Sequence, residues 1–251
     1  MLDRLLADLP DSALVLDAGG WASPHPRADW VIDLGPYETR NWYQTIGAPR
    51  RDFPERFTAE SWVVHDICAP GPWPFEGDTF DFAICSQTLE DVRDPIKVCS
   101  ELSRVARAGY VETPAAGVEL TRGIESPLWC GWRHHRWLVE RDGDGLVFVA
   151  KPHHVHSPLW PAIRSPKLLT APRDLRVGWT GELPAREEFL VDASALERRL
   201  LEIVRRSSAP DALGSARRGA LDAAWRGYRV GRSGAGRVYR AIVSATIRRT
   251  S

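Results

Sequence analysis

The chain lacks a C-x-x-C pair, a secretion signal, a long apolar run and any net charge, and each absence removes a class of function. Its four cysteines, Cys68, Cys85, Cys99 and Cys130, are too scattered for a zinc knuckle. Cys85 lies in an apolar run and Cys99 in a helical pattern, so buried free thiols in a reducing compartment are expected rather than a disulfide frame. No stretch approaches the roughly 20 apolar residues that a membrane-spanning helix needs. Residues Met1 to Pro10 carry acids and no sustained apolar core, which is not a secretion signal. A cytoplasmic location is expected. Basic and acidic side chains number 33 each, so no global field draws the chain to nucleic acid or to a membrane. Lysine is scarce: only Lys97, Lys151 and Lys167 stand among the basic residues, a bias of composition with no functional reading. A strand-to-helix G-x-G-x-x-G turn is also missing, which weakens a nicotinamide dehydrogenase reading.

What the chain does have is a series of short apolar runs. Ala13–Asp17, Trp30–Asp33, Trp62–Asp66, Phe80–Cys85 and Gly109–Thr113 read as five strands, three of them closing on an aspartate. That pattern predicts an α/β fold with a Rossmann-like, doubly wound and mostly parallel sheet. Ile96, Cys99, Leu102 and Val105 recur at helical spacing after Asp94-Pro95, a helix start. Pro24 and Pro26 leave room for at most one helical turn between the first two strands, and residues 36–61 have room for one helix. Asp142-Gly-Asp-Gly145 marks a hairpin within 132–151, whose strands are expected to complete the sheet. Residues 152–184 read as Pro-rich and irregular. Leu196, Leu200, Ile203 and Val204 form one face of an amphipathic helix. The expected organisation is therefore a Rossmann-like domain over 1–160 and, over 161–251, a Pro-rich connection leading to a helical, Arg-rich extension.

The most informative stretch is 78–95. Phe80, Phe82, Ala83, Ile84 and Cys85 are apolar almost without break, as in a parallel strand covered on both faces. Ser86-Gln87-Thr88 then turns polar where the strand would end, and in open α/β sheets ligands sit outside such carboxyl ends. The wording of 78–95 resembles the fourth strand and following loop of class I S-adenosylmethionine-dependent methyltransferases, the small-molecule, type 11-like subgroup in particular. The resemblance runs from about residue 14 to 114 and is strongest over 66–114.

The resemblance implies S-adenosylmethionine as cofactor and methyl transfer to a small-molecule oxygen, nitrogen or carbon. It places the cofactor's methionine part at Asp17, Gly19 and Gly20, although Trp21 and Ser23 stand where later glycines are customary, so the glycine motif is degraded. It makes Asp33 the carboxylate for the ribose hydroxyls, a role that suits an acceptor-only group facing two vicinal donors. It sets Asp66 and Ile67 beside the adenine, and Ser86 at the edge of the site. Each of these acids also has an ordinary reading, as a strand-end or loop carboxylate that begins a turn. Many relatives carry a histidine where this chain has Asp91, which leaves the general base open. Glu90, Asp91 and His135 are the acceptor-side candidates, with Asp91 and His135 as the catalytic pair. A second hypothesis is a non-catalytic relative that keeps the fold, binds cofactor or a partner, and does not turn over.

The remaining features are read more plainly. His134 and His135, adjacent in a strand, would point oppositely. His154 and His156 would share a face if extended. Hydrogen-bonded hairpin histidines explain these better than a metal, and no metal is expected. Trp30, Tyr37, Trp42, Tyr43, Trp129, Trp132 and Trp137 are candidates to line an acceptor cavity, though core packing is the commoner use of such rings. The tail from Ala223 holds seven arginines and no acid, and reads as a solvated terminus. The expected partners are a small-molecule acceptor and a second copy in a homodimer, with no nucleic acid and no membrane span.

Overall fold

Alternation with a period of two decides which side chains the main sheet buries on each face. The computed structural model describes residues 1–47, 54–158 and 160–209, so the arginine-rich tail lies outside the described residues. Strands β1 (Val15–Ala18), β2 (Trp30–Asp33), β3 (Trp62–Val64), β4 (Phe82–Ser86) and β5 (Ala108–Pro114) are mutually parallel, in the order β3-β2-β1-β4-β5. The order reverses between β1 and β4, which is the switch point where such sheets open a crevice. This is the Rossmann-like, doubly wound α/β fold expected from the sequence.

On one face Leu16, Ala83, Cys85 and Val111 pack with Val98, Cys99 and Leu102 of α3 (Pro95–Val105). Asp94 caps that helix by accepting from the Lys97 N–H, and Pro95 occupies its first turn. Leu102 is fully buried, so Leu102→Ala would cost about 2–5 kcal/mol. On the other face Val15, Val31, Phe82, Ile84 and Tyr110 lie with Leu6 of α1 (Leu2–Ala7). Between β1 and β2 the chain runs as turns and irregular backbone without a helix, as Pro24 and Pro26 require. In 36–61 the described part holds a 3-10 turn, Tyr37–Thr39, and the four-residue α2 (Trp42–Thr45).

Two expectations need correction. The hairpin does not complete the main sheet. Its strands β6 (Trp137–Asp142) and β7 (Gly145–Ala150) build a separate three-stranded sheet with β9 (Ala185–Glu187). The sixth strand of the main sheet is β8 (Asp174–Thr180), antiparallel to β5 from Ala108↔Thr180 to Pro114↔Asp174. It comes from the stretch read as irregular and lies beyond residue 160, where a domain boundary was expected. Secondly, His134 and His135 precede β6 rather than lie in it, and His154 and His156 sit in a 3-10 turn, His153–His156. Neither pair is extended.

The short α4 (Ala116–Glu119) follows β5. Helix α5 (Ala193–Ser207), capped by Asp192, buries Leu200, Ile203 and Val204 against Leu138, Val147 and Val149 of the second sheet. The four cysteines are free and buried. No helix among the described residues is long and apolar enough to cross a membrane.

Candidate active site

The turn after β1 is shaped by close contacts. Gly19 adopts φ +80°, and a Cβ there would fall 2.3 Å from the Thr88 side chain. A Cβ on Gly20 would fall 2.5 Å from Asp17 Oδ2. Only bare backbone fits at either position. Asp17 is buried at the end of β1, and its Oδ2 accepts from the His25 N–H at 2.7 Å.

Asp33 closes β2 and faces back across this turn. Its Oδ2 accepts from the Trp21 N–H at 3.0 Å and its Oδ1 from the Gly35 N–H at 2.7 Å. Burial raises its pKa above the ordinary carboxylate value, and those N–H groups, with that of Leu34, pull it back. The Trp21 indole lies on the β2 side of the turn, against Gly35, with Nε1 donating to Thr39 Oγ1 and the ring stacked 6.1 Å from Trp42. The residue that breaks the glycine motif therefore packs beside Gly35 while its N–H donates to Asp33.

Asp66 and Ile67 stand just past β3. Asp66 accepts from the Cys68 N–H at 2.9 Å and pairs with Arg93 at 2.7 Å. The Ile67 carbonyl accepts from Trp73 Nε1 at 2.9 Å. Ser86, at the end of β4, lines a cleft of about 810 Å³ together with Leu2, Leu6, His25, Arg27 and Glu112. That cleft opens on the face where the first crossover forms no helix. Directly after Ser86 the chain bends through Gln87, whose φ of 54° is uncommon for a residue with a side chain.

Glu90 and Asp91 follow. The Glu90 carbonyl accepts from the Arg136 and Trp137 N–H groups, which ties the β4 loop to the start of β6. Its carboxylate is buried, and Oε2 has no hydrogen-bond partner. Burial, with the carboxylates of Glu119 and Asp91 close by, pushes the Glu90 pKa up to about 8. Asp91 lies 3.8 Å from His134 Nε2. Burial first, then the charges of Glu90 and Asp91, raise the phenol of Tyr43.

Glu119 gives the region its order, and sequence reasoning missed it. It is fully buried at the end of α4, with Oε1 2.9 Å from His135 Nδ1 and Oε2 accepting from Lys151 Nζ at 2.6 Å. Lys151 is itself buried and also donates to the carbonyls of Cys130 at 2.9 Å and Trp132 at 2.7 Å. Its three donors are thereby used. His135 stacks on Trp132 at 5.0 Å. A carboxylate on Nδ1 fixes the proton there and leaves Nε2 as the acceptor atom, the arrangement of a general base.

Asp17, Gly19, Gly20 and Asp33 are thus brought together around one turn, and Glu90, Asp91 and His135 around another. Ser86 joins the first group through Thr88, whose Oγ1 donates to the carbonyls of Gly19 at 3.3 Å and Ser86 at 3.1 Å, and Asp66 follows His65, whose N–H donates to the Asp33 carbonyl at 2.8 Å. Two further histidines have fixed partners: His154 meets Glu197 at 3.0 Å, and His156 Nδ1 accepts from the Cys130 N–H at 3.2 Å.

Residues 45–111 match the family model described as "Methyltransferase domain". No curated protein matches the chain. Among solved structures, the chain is similar to an S-adenosylmethionine-dependent methyltransferase from Aquifex aeolicus (20% identity, 45% of this chain and 64% of the other, TM-score 0.30). It is likewise similar to one from Mesorhizobium loti (15% identity, 59% and 62%, TM-score 0.31). For other matched structures the chain spans about half of their length. The strand order of the main sheet and the match over residues 45–111 together make this part of the chain similar to methyltransferase domains.

Proposed function

We propose that the protein transfers a methyl group from S-adenosylmethionine to a small-molecule acceptor, with His135 as general base and Asp91 on the acceptor side. The observation that carries the reading is the Glu119–His135 pair at 2.9 Å, set by residues that follow the carboxyl ends of β5 and β4.

The residues past β1 and β2 suit an adenosyl sulfonium. Each oxygen of Asp33 accepts one N–H and keeps a further lone pair for a ribose hydroxyl. Leu34, beside it, is 69% exposed, an apolar surface for a base to cover. Gly19 and Gly20 would let the backbone approach the methionine part, with Asp17 supporting the turn. Asp66 and Ile67 would border the adenine and Ser86 the methyl end. When bound, the cofactor supplies an electrophilic methyl carbon on a good leaving group. The chain's task is then to hold the acceptor in line and to take its proton at His135 Nε2.

The test is release of S-adenosylhomocysteine, followed by mass spectrometry across an acceptor panel. Turnover in the wild type that is lost in His135→Asn supports the reading; turnover unaffected by that change contradicts it.

The Asp66–Arg93 ion pair and the indole of Trp21 favour a second reading, a relative that binds without turnover. It predicts cofactor uptake with no product from any acceptor, and steady product release excludes it.

A further inference from the structure

We propose that the protein carries a second ligand site, a cleft between segments 122–128 and 158–166 that binds an organic carboxylate with an apolar body. The cleft shares no described lining residue with the candidate active site, so the proposal stands apart from the methyl-transfer reading.

The cleft holds about 600 Å³, and Arg122, Pro127, Leu128, Pro158, Pro161 and Arg164 are among the residues that line it. That size is ordinary for a small-molecule site. Backbone pairing sets its walls. The Arg122 N–H donates to the Ile163 carbonyl at 2.8 Å, Thr121 bridges to Ile163, and Arg122 bridges to Cys130. The proline rings fix the turns on either side and offer no N–H to close them. Leu128, 69% exposed, adds an apolar surface open to solvent.

The charge in the cleft has one sign. Arg122 is half-buried, and its Nη1 donates to the carbonyls of Leu128 at 2.9 Å and His156 at 3.4 Å, its Nη2 to that of Ser157 at 2.6 Å. Those bonds leave Nε–H and one Nη2–H of the guanidinium open. Among the described residues no carboxylate pairs with Arg122 or with the exposed Arg164, and none lines the cleft. Carbonyl dipoles solvate a guanidinium without cancelling its charge, and a charge withdrawn from water is normally paired. Acids in adjoining segments are committed: Glu125 accepts from the Arg133 N–H at 2.8 Å, and Glu197 accepts from Trp160 Nε1 at 3.0 Å and meets His154. The positive field registers on His156. Burial first, then Lys151, His153 and Arg122, lower it to about 4 against the pull of Glu119.

Two guanidiniums without an acid select an anion over a neutral or cationic ligand. The leucine and proline walls select one with an apolar body. The open donors of Arg122 suit the paired oxygens of a planar carboxylate, and Arg164 adds a second cation to the same cleft.

The test is isothermal calorimetry on the full chain at pH 7 in HEPES. Four probes are titrated: 1-naphthaleneacetate, its neutral amide, acetate and inorganic phosphate. Naphthaleneacetate should bind tighter than each of the others by roughly tenfold or more, the worth of one charge-assisted hydrogen bond. Arg164→Gln removes a side chain with no partner among the described residues, so it should leave the melting temperature unchanged while abolishing most of that preference. Arg122→Lys keeps the charge and loses the guanidinium fork, and should weaken naphthaleneacetate as well. No uptake of naphthaleneacetate overturns the proposal. So does equal binding of the amide, of acetate or of phosphate, or a preference that Arg164→Gln leaves intact. None of these outcomes bears on cofactor binding.

Discussion

Glu119 holds His135 and Lys151 at once, 2.9 Å from the imidazole Nδ1 and 2.6 Å from the ammonium. The three side chains lie 16 and 32 residues apart in sequence, so they join the end of α4 to the strands of the second sheet. Removing one member strands a buried charge. Lys151→Met should lower stability by about 3–5 kcal/mol, as for other broken buried pairs. The double change Glu119→Leu with Lys151→Met should cost clearly less, and urea unfolding of the two variants checks the difference.

The catalytic part of that relationship is separable from the structural part. His135→Asn removes the proton acceptor without removing the Glu119–Lys151 pair. Turnover should fall by roughly 10²–10⁴, with the affinity for S-adenosylhomocysteine changed less than threefold. Single-turnover kinetics alongside calorimetry measures both.

The buried carboxyl of Glu90 makes stability depend on pH. Its folded value near 8 lies above the ordinary 4.5, so the unfolded chain releases this proton first. The contribution is fully present below about pH 4.5, falls as pH rises, and is lost through pH 8. Glu90→Gln should remove that decline and leave the variant more stable than the wild type at pH 8.5, by a few kcal/mol at most. His156 acts in the other direction. Burial, helped by the charge of Lys151, lowers it to about 4, so its contribution is present above about pH 6.5 and lost as pH falls through 4. Melting temperatures of wild type and Glu90→Gln from pH 4 to 9 report both limbs.

The parallel strands and α3 were legible because their signals are local: a continuous apolar run for β4, aspartate and proline at the start of α3, and apolar residues at helical spacing along it. β8 was not. Val177 and Trp179 do alternate with exposed residues, as a strand's should, but Gly178 and the Pro-rich surroundings made that signal read as loop. Asp17, Gly19 and Asp33 were singled out by standing at strand ends, which the structure places around one turn. Glu119 gave no sign, since an acid in Gly-Val-Glu-Leu becomes special only through partners far along the chain. Lys151 was visible as one of three lysines, but its neighbours were not. The hairpin itself was readable from Asp142-Gly-Asp-Gly145, whereas its docking partner was not, because β9 is only three residues long.

The glycine turn offers a further check. Gly20→Ala would drive a methyl group into the Asp17 carboxylate, so the turn must shift. Cofactor affinity should weaken at least tenfold while the melting temperature moves little. Gly19→Ala meets both the Thr88 side chain and a left-handed backbone, and should lower stability by about 1–2 kcal/mol or more. Thermal melts paired with fluorescence titration distinguish the two effects.

Trp21 and Asp33 together carry the central claim, that the carboxyl ends of β1 and β2 still hold an adenosyl sulfonium despite an indole where bare backbone is customary. The most direct measurement is a calorimetric titration of the full chain with S-adenosylhomocysteine, repeated on Asp33→Ala. The account predicts saturable one-to-one uptake by the wild type and at least a tenfold loss in the variant. Absence of uptake, or uptake indifferent to Asp33, would contradict it.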